Sequence, residues 1–173
     1  PAFNNLGWTQ NVSRDLDSSI TNLRKAINLN PDLVDAHLNL ALSYLGKGNY
    51  LEGFKEYEWR NHVLGINSRR LGSSLWLGTE SLRGKTIFIY PEQGLGDTIQ
   101  FCRYIKLISD LGARVILEVQ PPLIRLLRNL EGVNLLISSG DQIPQHDYHC
   151  PLMSLPLAFR TQVDTIPNGM PYI

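Results

Sequence analysis

The stretch from Glu92 to Asp97, with the sequence EQGLGD, holds the residues of this chain best suited to contact a ligand. Gly94 and Gly96 allow the backbone to approach a bound molecule closely, because they carry no Cβ. A helix that begins at Asp97 would add free N–H groups and a positive dipole end. Two interpretations stay open. Asp97 either caps this helix, which the spacing alone favours, or directs its carboxylate toward a ligand.

Neither common nucleotide-binding motif is complete in this stretch. A dinucleotide fingerprint needs a third glycine or alanine where Ile99 stands, and an acidic residue at the end of the second strand, a position that Glu118 nearly fills. A phosphate-binding loop needs Gly-Lys-Ser or Gly-Lys-Thr, and Gly96 is followed by aspartate. A Gly-x-Gly pattern by itself is therefore a weak signal.

The elements that position this loop are predicted to form a parallel sheet. The predicted elements are a strand at 86–90, a helix at 97–111, a strand at 114–119, a helix opening at 121–122, a strand at 133–138 and a short strand near 147–150. Alternating strands and helices indicate parallel strands with right-handed crossovers. Ligands of such sheets bind beyond the carboxyl ends of the strands, where the EQGLGD loop falls. Beyond residue 154 we expect mostly loop with one short helix.

The first third of the chain repeats itself. Residues 3–7 (FNNLG) and 37–41 (HLNLA) align at a spacing of 34, which is the tetratricopeptide period. Apolar residues at helical spacing and the break at Pro31 predict helices. These helices are predicted at 2–12, 17–29, 34–46 and 51–63. This third of the chain resembles the tetratricopeptide repeat (TPR) family. Arg60, where a small residue is usual, and Gly65, where a proline is usual, predict that the array ends there.

The TPR resemblance implies a concave surface that binds an extended peptide. Asn5 and Asn39 occupy equivalent positions in the two repeats, and the resemblance implies that they bond the peptide backbone. The alternative is that both asparagines satisfy local backbone groups.

The α/β part resembles a second family. Residues 92–101 (EQGLGDTIQF), with Arg103 and Tyr104 after them, and residues 151–156 (PLMSLP) look like the motifs of bacterial TPR-fused glycosyltransferases. Those proteins are similar to heptosyltransferases, whose GT-B architecture pairs two Rossmann-like domains across a cleft. The resemblance implies that Asp97 is the general base that activates the acceptor hydroxyl.

The same resemblance implies the other site residues. Gly94 and Gly96 would keep the loop small enough for a sugar, and Gln93, Gln100 and Arg103 would be polar contacts to the substrate. For the last three the alternative is a solvated position on the helix. The nucleotide-sugar donor would bind a second domain, so we expect this chain to be the front part of a longer transferase, inactive alone and without a cofactor of its own.

Composition excludes several classes of function. The chain has 16 Lys and Arg against 16 Asp and Glu, and a net charge of zero argues against nucleic-acid binding. With two cysteines, Cys102 and Cys150, and no signal or membrane-spanning segment, we expect a cytoplasmic protein. The run His146–Cys150 lacks the spacing of a metal site, so no metal is predicted. Cys102 falls on an apolar helix face and is predicted to be a core residue.

The predicted fold class is thus α plus α/β. TPR hairpins at 1–66, in units of about 1–33 and 34–66, precede a linker at 67–84 and a Rossmann-like parallel-sheet domain at 85–173, the amino-terminal half of a GT-B fold. The expected partners are a peptide in the TPR groove and a protein or glycan acceptor. The competing hypothesis is a protein-protein interaction module without catalysis, in which the α/β domain is a scaffold.

Overall fold

A computed structural model describes residues 1–63, 69 and 71–169. The chain divides into two compact units. The helical unit comprises Pro1–Ser68 together with Arg160–Ile166, and the sheet unit comprises Arg69–Phe159 together with Pro167–Ile173. The predicted order of helical hairpins followed by a parallel-sheet α/β fold is confirmed.

Two helical hairpins make up most of the helical unit. The helices are α1 (Ala2–Val12), α2 (Leu16–Leu29), α3 (Val34–Gly46) and α4 (Tyr50–Tyr57). Short 3-10 helices cover Glu58–His62 and Val163–Thr165. Asp15 is the N-cap of α2 and Asn49 is the N-cap of α4. The side-chain oxygen of each accepts a backbone N–H from the first turn of its helix. These caps lie 34 positions apart and restart the helix after each hairpin turn.

The fourth helix ends earlier than predicted. The sequence predicts helix to residue 63, but the α-helix stops at Tyr57 and tightens into a 3-10 helix. Arg60 is 1% exposed, donates to the Tyr57 carbonyl oxygen at 3.1 Å and pairs with Glu58 at 2.7 Å. The guanidinium thus satisfies a carbonyl at the end of the helix. The sequence shows that Arg60 replaces the usual small residue, but it does not reveal that the guanidinium contacts the end of α4.

The helices of the two hairpins pack closely, with polar contacts at the crossing. A Cβ added at Gly7 would lie 2.6 Å from Cγ of Leu23, so glycine lets α1 and α2 of the first hairpin approach this closely without displacing that side chain. The buried Ser19 hydroxyl donates to the Gly7 carbonyl oxygen at 2.7 Å and contacts the Ser43 hydroxyl at 2.9 Å. Ile20, Leu23, Leu40 and Tyr44 form the apolar core around this crossing.

The sheet unit contains five parallel strands in the order β1-β5-β2-β3-β4. The strands are β1 (Ser74–Leu75), β2 (Thr86–Tyr90), β3 (Arg114–Val119), β4 (Leu135–Ser138) and β5 (Tyr148–Pro151). The α-helices are α5 (Leu95–Phe101), α6 (Ile105–Asp110), α7 (Ile124–Leu127) and α8 (Leu155–Ala158). Single 3-10 turns cover Cys102–Tyr104, Pro121–Leu123 and Leu152–Ser154. Residues 97–111 were predicted as one helix, and the 3-10 turn divides that stretch.

Residues on β2 alternate between two buried layers. Phe88 lies opposite Ile116 of β3 and His149 of β5, and Ile89 lies opposite the next residue of each strand. The side chains from Ile87 to Tyr90 are all buried, as expected for a central parallel strand covered on both faces. The strand β1 falls within the stretch that the sequence predicts as a linker. It has two exposed residues, too few for any periodic pattern.

Among the helices of the described residues, none is both long enough and apolar enough to span a bilayer.

Candidate functional site

The EQGLGD loop lies at the carboxyl end of β2, the edge at which open parallel sheets commonly bind ligands. The loop is tied to the segment that follows β3. The Gln120 amide donates to the Gln93 carbonyl oxygen at 2.9 Å and accepts the hydroxyl of Thr98 at 2.9 Å. Gln120 therefore links the loops at the ends of two neighbouring strands. Sequence reasoning missed it, because the pairing of those loops depends on the sheet order.

Asp97 has a capping role, although not the one predicted. The helix α5 begins at Leu95, two residues before the predicted start, so Asp97 is its third residue. Its Oδ2 accepts the backbone N–H of Gly94 at 3.0 Å. In a helix that began after a capping Asp97, the carboxylate would bind the N–H groups of residues 99 and 100. Because Gly94 has extended backbone, the carboxylate instead reaches back to the residue that precedes the helix.

The surroundings of Asp97 are open to solvent. Asp97 is half-buried, and Gly94, Leu95 and Gly96 beside it are exposed. A Cβ built at Gly96 would meet no atom within 4 Å, so there is free space next to this part of the loop. Within the described part of the chain, Oδ1 of Asp97 forms no hydrogen bond. One carboxylate oxygen thus holds the loop, while the other remains available to a bound molecule.

The other predicted contact residues follow Asp97 at helical spacing. Gln100 is exposed one turn further along α5, and Arg103 is half-buried in the 3-10 turn after it. Residues three apart on a helix are neighbours, so Gln100 lies near Asp97, whereas Arg103 follows after α5 has ended. Gln93 is exposed at the start of the loop. Their roles as substrate contacts stay predictions.

A buried ion pair occupies the end of β3. Glu118 is 1% exposed and accepts two hydrogen bonds of 2.7 Å from the Arg69 guanidinium and one of 2.9 Å from the Ser139 hydroxyl. The hydrogen bond to Glu118 raises the pKa of Arg69 above its ordinary value. The guanidinium also lies 5.1 Å from the centroid of the Tyr90 ring. The acid that nearly matched a dinucleotide fingerprint is therefore neutralised within the fold.

A groove in the helical unit brings the two predicted asparagines together. It has a volume of about 260 Å³ and lies between α1 and α3. Its lining residues are Asn4, Asn5, Trp8, Asp35, Leu38 and Asn39. The Asn39 amide donates to Oδ1 of Asn4 at 3.0 Å, and no described residue hydrogen-bonds to the Asn5 side chain. The predicted pair thus shares one groove, and Trp8 and Asp35 are lining residues that repeat alignment alone did not single out.

Three other residues that could in principle react, Cys102, Asp147 and His149, are held in positions that serve the fold. Burial raises the pKa of the Cys102 thiol to about 11, which keeps it protonated and unreactive at neutral pH. Burial also lowers the pKa of His149. The Asp147 carboxylate accepts the Thr86 N–H at 2.8 Å and joins two strands. In the parts of the chain that the structure describes, no cluster of three or more His, Cys, Asp or Glu residues is arranged to hold a metal ion.

Comparison with family models finds a match for part of the helical unit. A profile described as TPR repeat matches residues 15–48, which extend from the cap of α2 through α3. No curated protein matches the chain. The predicted TPR repeat is confirmed for the matched residues, and it supports a protein-interaction module.

Proposed function

We propose that this chain couples a TPR groove for an extended peptide to the acceptor-side α/β domain of a glycosyltransferase. In this proposal the groove between α1 and α3 binds a protein partner, and Asp97 acts as the general base toward an acceptor hydroxyl. The nucleotide-sugar donor binds a further domain of the full-length protein. The described chain then holds half of the site and transfers no sugar by itself.

The observation that carries the binding half is the shared groove of Asn5 and Asn39. Amide side chains carry both a donor and an acceptor, so they can pair with the N–H and C=O groups of an extended backbone whatever its sequence. The two asparagines are 34 residues apart and line one groove. A peptide lying along it would meet one amide from each repeat.

The catalytic half depends on the carboxylate at the end of β2. Asp97 is half-buried beside exposed glycines, and its Oδ2 is held by the Gly94 N–H. A carboxylate fixed in this way loses little conformational freedom when it takes a proton from a sugar hydroxyl. The open space beside Gly96 supports access for such a substrate.

The decisive experiment measures transfer by the full-length gene product from a panel of UDP-, GDP- and ADP-sugars. Asp97→Asn keeps the shape of the side chain but removes the base, and we expect it to lower kcat by about 10²- to 10⁴-fold. Asp110→Asn is the matched control, because Asp110 is exposed and pairs with Lys106 at the surface. Unchanged transfer by Asp97→Asn would remove this residue from the mechanism.

A second candidate function is a binding module without catalysis. The hydrogen bond from Gly94 to Asp97 favours it, because capping alone accounts for an aspartate at this position. This candidate predicts that Asp97→Asn lowers the stability of the sheet unit and that no nucleotide sugar is consumed by the full-length protein. Thermal unfolding and transfer measured on the same variant separate the two functions.

A further inference from the structure

The groove between α1 and α3 carries a negative charge that nothing in it balances. Of its six lining residues, Asp35 alone is charged. The sequences of α1 and α3 contain neither lysine nor arginine. A ligand that carries a carboxylate would therefore find no cation among the lining residues, whereas a ligand that carries a cation would find one anion.

The Asp35 carboxylate is available to such a ligand. It is exposed in the first turn of α3, and within the described ranges no side chain or backbone group pairs with it. Asp17 in the same unit differs, because its carboxylate contacts the Lys47 ammonium. Pairing Asp35 with an incoming cation thus requires no existing ion pair to break.

An exposed indole lines the same groove. Trp8 is 45% exposed, although large aromatic side chains are more often covered. The face of an indole attracts ammonium and guanidinium groups, and it also packs against the methylene stem of a long basic side chain. Trp8 and Asp35 therefore offer the two kinds of contact that a lysine or arginine side chain uses.

We infer that the groove binds an extended peptide segment that contains a lysine or arginine, with Asp35 as its counter-ion and Trp8 as its packing surface. This inference rests on the proposed peptide-binding function and specifies the class of peptide. The amides of Asn5 and Asn39 recognise the backbone, and the charge selects the side chain. An uncharged glycan would also suit an indole beside amides, but it would leave the Asp35 charge without a partner.

The test uses the whole chain and an array of short random-sequence peptides. We expect the bound peptides to be enriched in lysine and arginine. Binding is then measured for one enriched peptide and for its analogue with norleucine in place of the basic residue. Asp35→Asn should weaken binding of the basic peptide about two- to fivefold and leave the affinity for the norleucine analogue unchanged.

Matched variants separate a direct contact from a general effect of charge. Asp32 is also exposed but does not line the groove, so Asp32→Asn should leave both affinities unchanged. Trp8→Ala should weaken binding of the basic peptide about threefold. Trp8→Phe keeps an aromatic face and should weaken binding less. Circular dichroism of each variant verifies that the helices are intact, and raised salt should reduce the preference for the basic peptide.

The outcomes distinguish this inference from the function on which it rests. Peptide binding that Asn5→Ala and Asn39→Ala abolish, but that shows no preference for basic residues, would overturn the inference and leave the groove function standing. A preference for acidic peptides would do the same. Failure to bind any peptide, or selective binding on a glycan array instead, would overturn both.

Discussion

Two buried polar contacts, one in the helical unit and one in the sheet unit, differ in charge. The helical unit also buries the Arg60–Glu58 ion pair, but the contact at its helix crossing joins two neutral hydroxyls, those of Ser19 and Ser43, 2.9 Å apart. In the sheet unit the buried partner is an ion pair between Glu118 and Arg69, 49 residues apart. A neutral pair costs little to desolvate, whereas a buried carboxylate requires its cation. Removal of Glu118 should therefore cost more free energy of unfolding than removal of the Ser19 hydroxyl.

In each unit a glycine lies against another segment, but the atoms that it faces differ in how easily they can move. A Cβ at Gly7 would meet the side chain of Leu23, which can shift. A Cβ at Gly78 would lie 2.1 Å from the backbone carbonyl oxygen of Ala158, which cannot shift without moving the chain. Gly78 also has a φ of +93°, in the region that favours glycine. The predictions below test this contrast.

The largest expected effect is from Gly78→Ala. It should lower the free energy of unfolding of the sheet unit by about 3 kcal/mol or more, since overpacking adds to the left-handed backbone conformation. Amide hydrogen exchange in β2 and β3 measures this. Gly72→Ala is the control, because Gly72 also has positive φ but has free space around its Cβ position. Equal losses in the two variants would mean that the contact with Ala158 costs nothing.

The second-largest effect is expected from Glu118→Ala. It should lower the free energy of unfolding of the sheet unit by about 2–3 kcal/mol. The change leaves the Arg69 guanidinium without its buried carboxylate, and partial exposure of Arg69 to solvent limits the cost. Chemical denaturation measures the loss. The exposed Glu131, replaced by alanine, should leave the stability close to that of the wild type. A Glu118 variant as stable as the wild type would contradict the role assigned to the ion pair.

Ser19→Ala should cost the helical unit about 1–2 kcal/mol. The substitution removes the buried hydrogen bond from the Ser19 hydroxyl to the Gly7 carbonyl oxygen and the contact with the Ser43 hydroxyl. Thermal unfolding followed by circular dichroism at the helical wavelength measures the change. Ser18→Ala, whose side chain is only half-buried, is the neighbouring control. A loss larger than that of Glu118→Ala would reverse the contrast between the units.

The smallest effect concerns the reactivity of Cys102, which lies in the sheet unit. Its thiol has a pKa of about 11, so native protein at pH 8 should react with iodoacetamide very slowly. Unfolded protein loses this proton near pH 9, so the stability of the sheet unit should fall as pH rises from about 9 to about 11. Gly78→Ala should accelerate labelling. Labelling accelerated equally by Ser19→Ala would mean that the two units open together.

The helical unit could be predicted closely because its information is local. A spacing of 34 and an apolar stripe on α2 were enough to locate α1, α2 and α3, since helical hydrogen bonds join residues four apart. The end of α4 was predicted less well. Arg60 looked unusual in the sequence, but its bond to the Tyr57 carbonyl oxygen depends on a buried position that no periodic pattern reveals.

In the sheet unit, the positions of most strands in the sequence were predicted, but their order in the sheet was not. Strands β2, β3, β4 and β5 were expected close to where they lie, and β2 and β3 carry the clearest signal, a run of β-branched and aromatic residues in β2 and of aliphatic ones in β3. Their order was not predicted, since parallel strands can pair across long stretches of chain, as β1 and β5 do. The strand β1, whose Leu75 lies opposite His149, was missed for that reason.

By itself, the sequence determined the 34-residue repeat and the glycine-containing stretch EQGLGD that follows β2. Those features follow from neighbouring residues and from short-range hydrogen bonds. Only the tertiary structure decided that Asp97 reaches back to Gly94, that Arg69 neutralises Glu118 and that Trp8 and Asp35 share a groove with Asn39. Each of these contacts depends on backbone direction or on packing between separate segments. Such distances are set by the folded chain as a whole, because no local pattern specifies them.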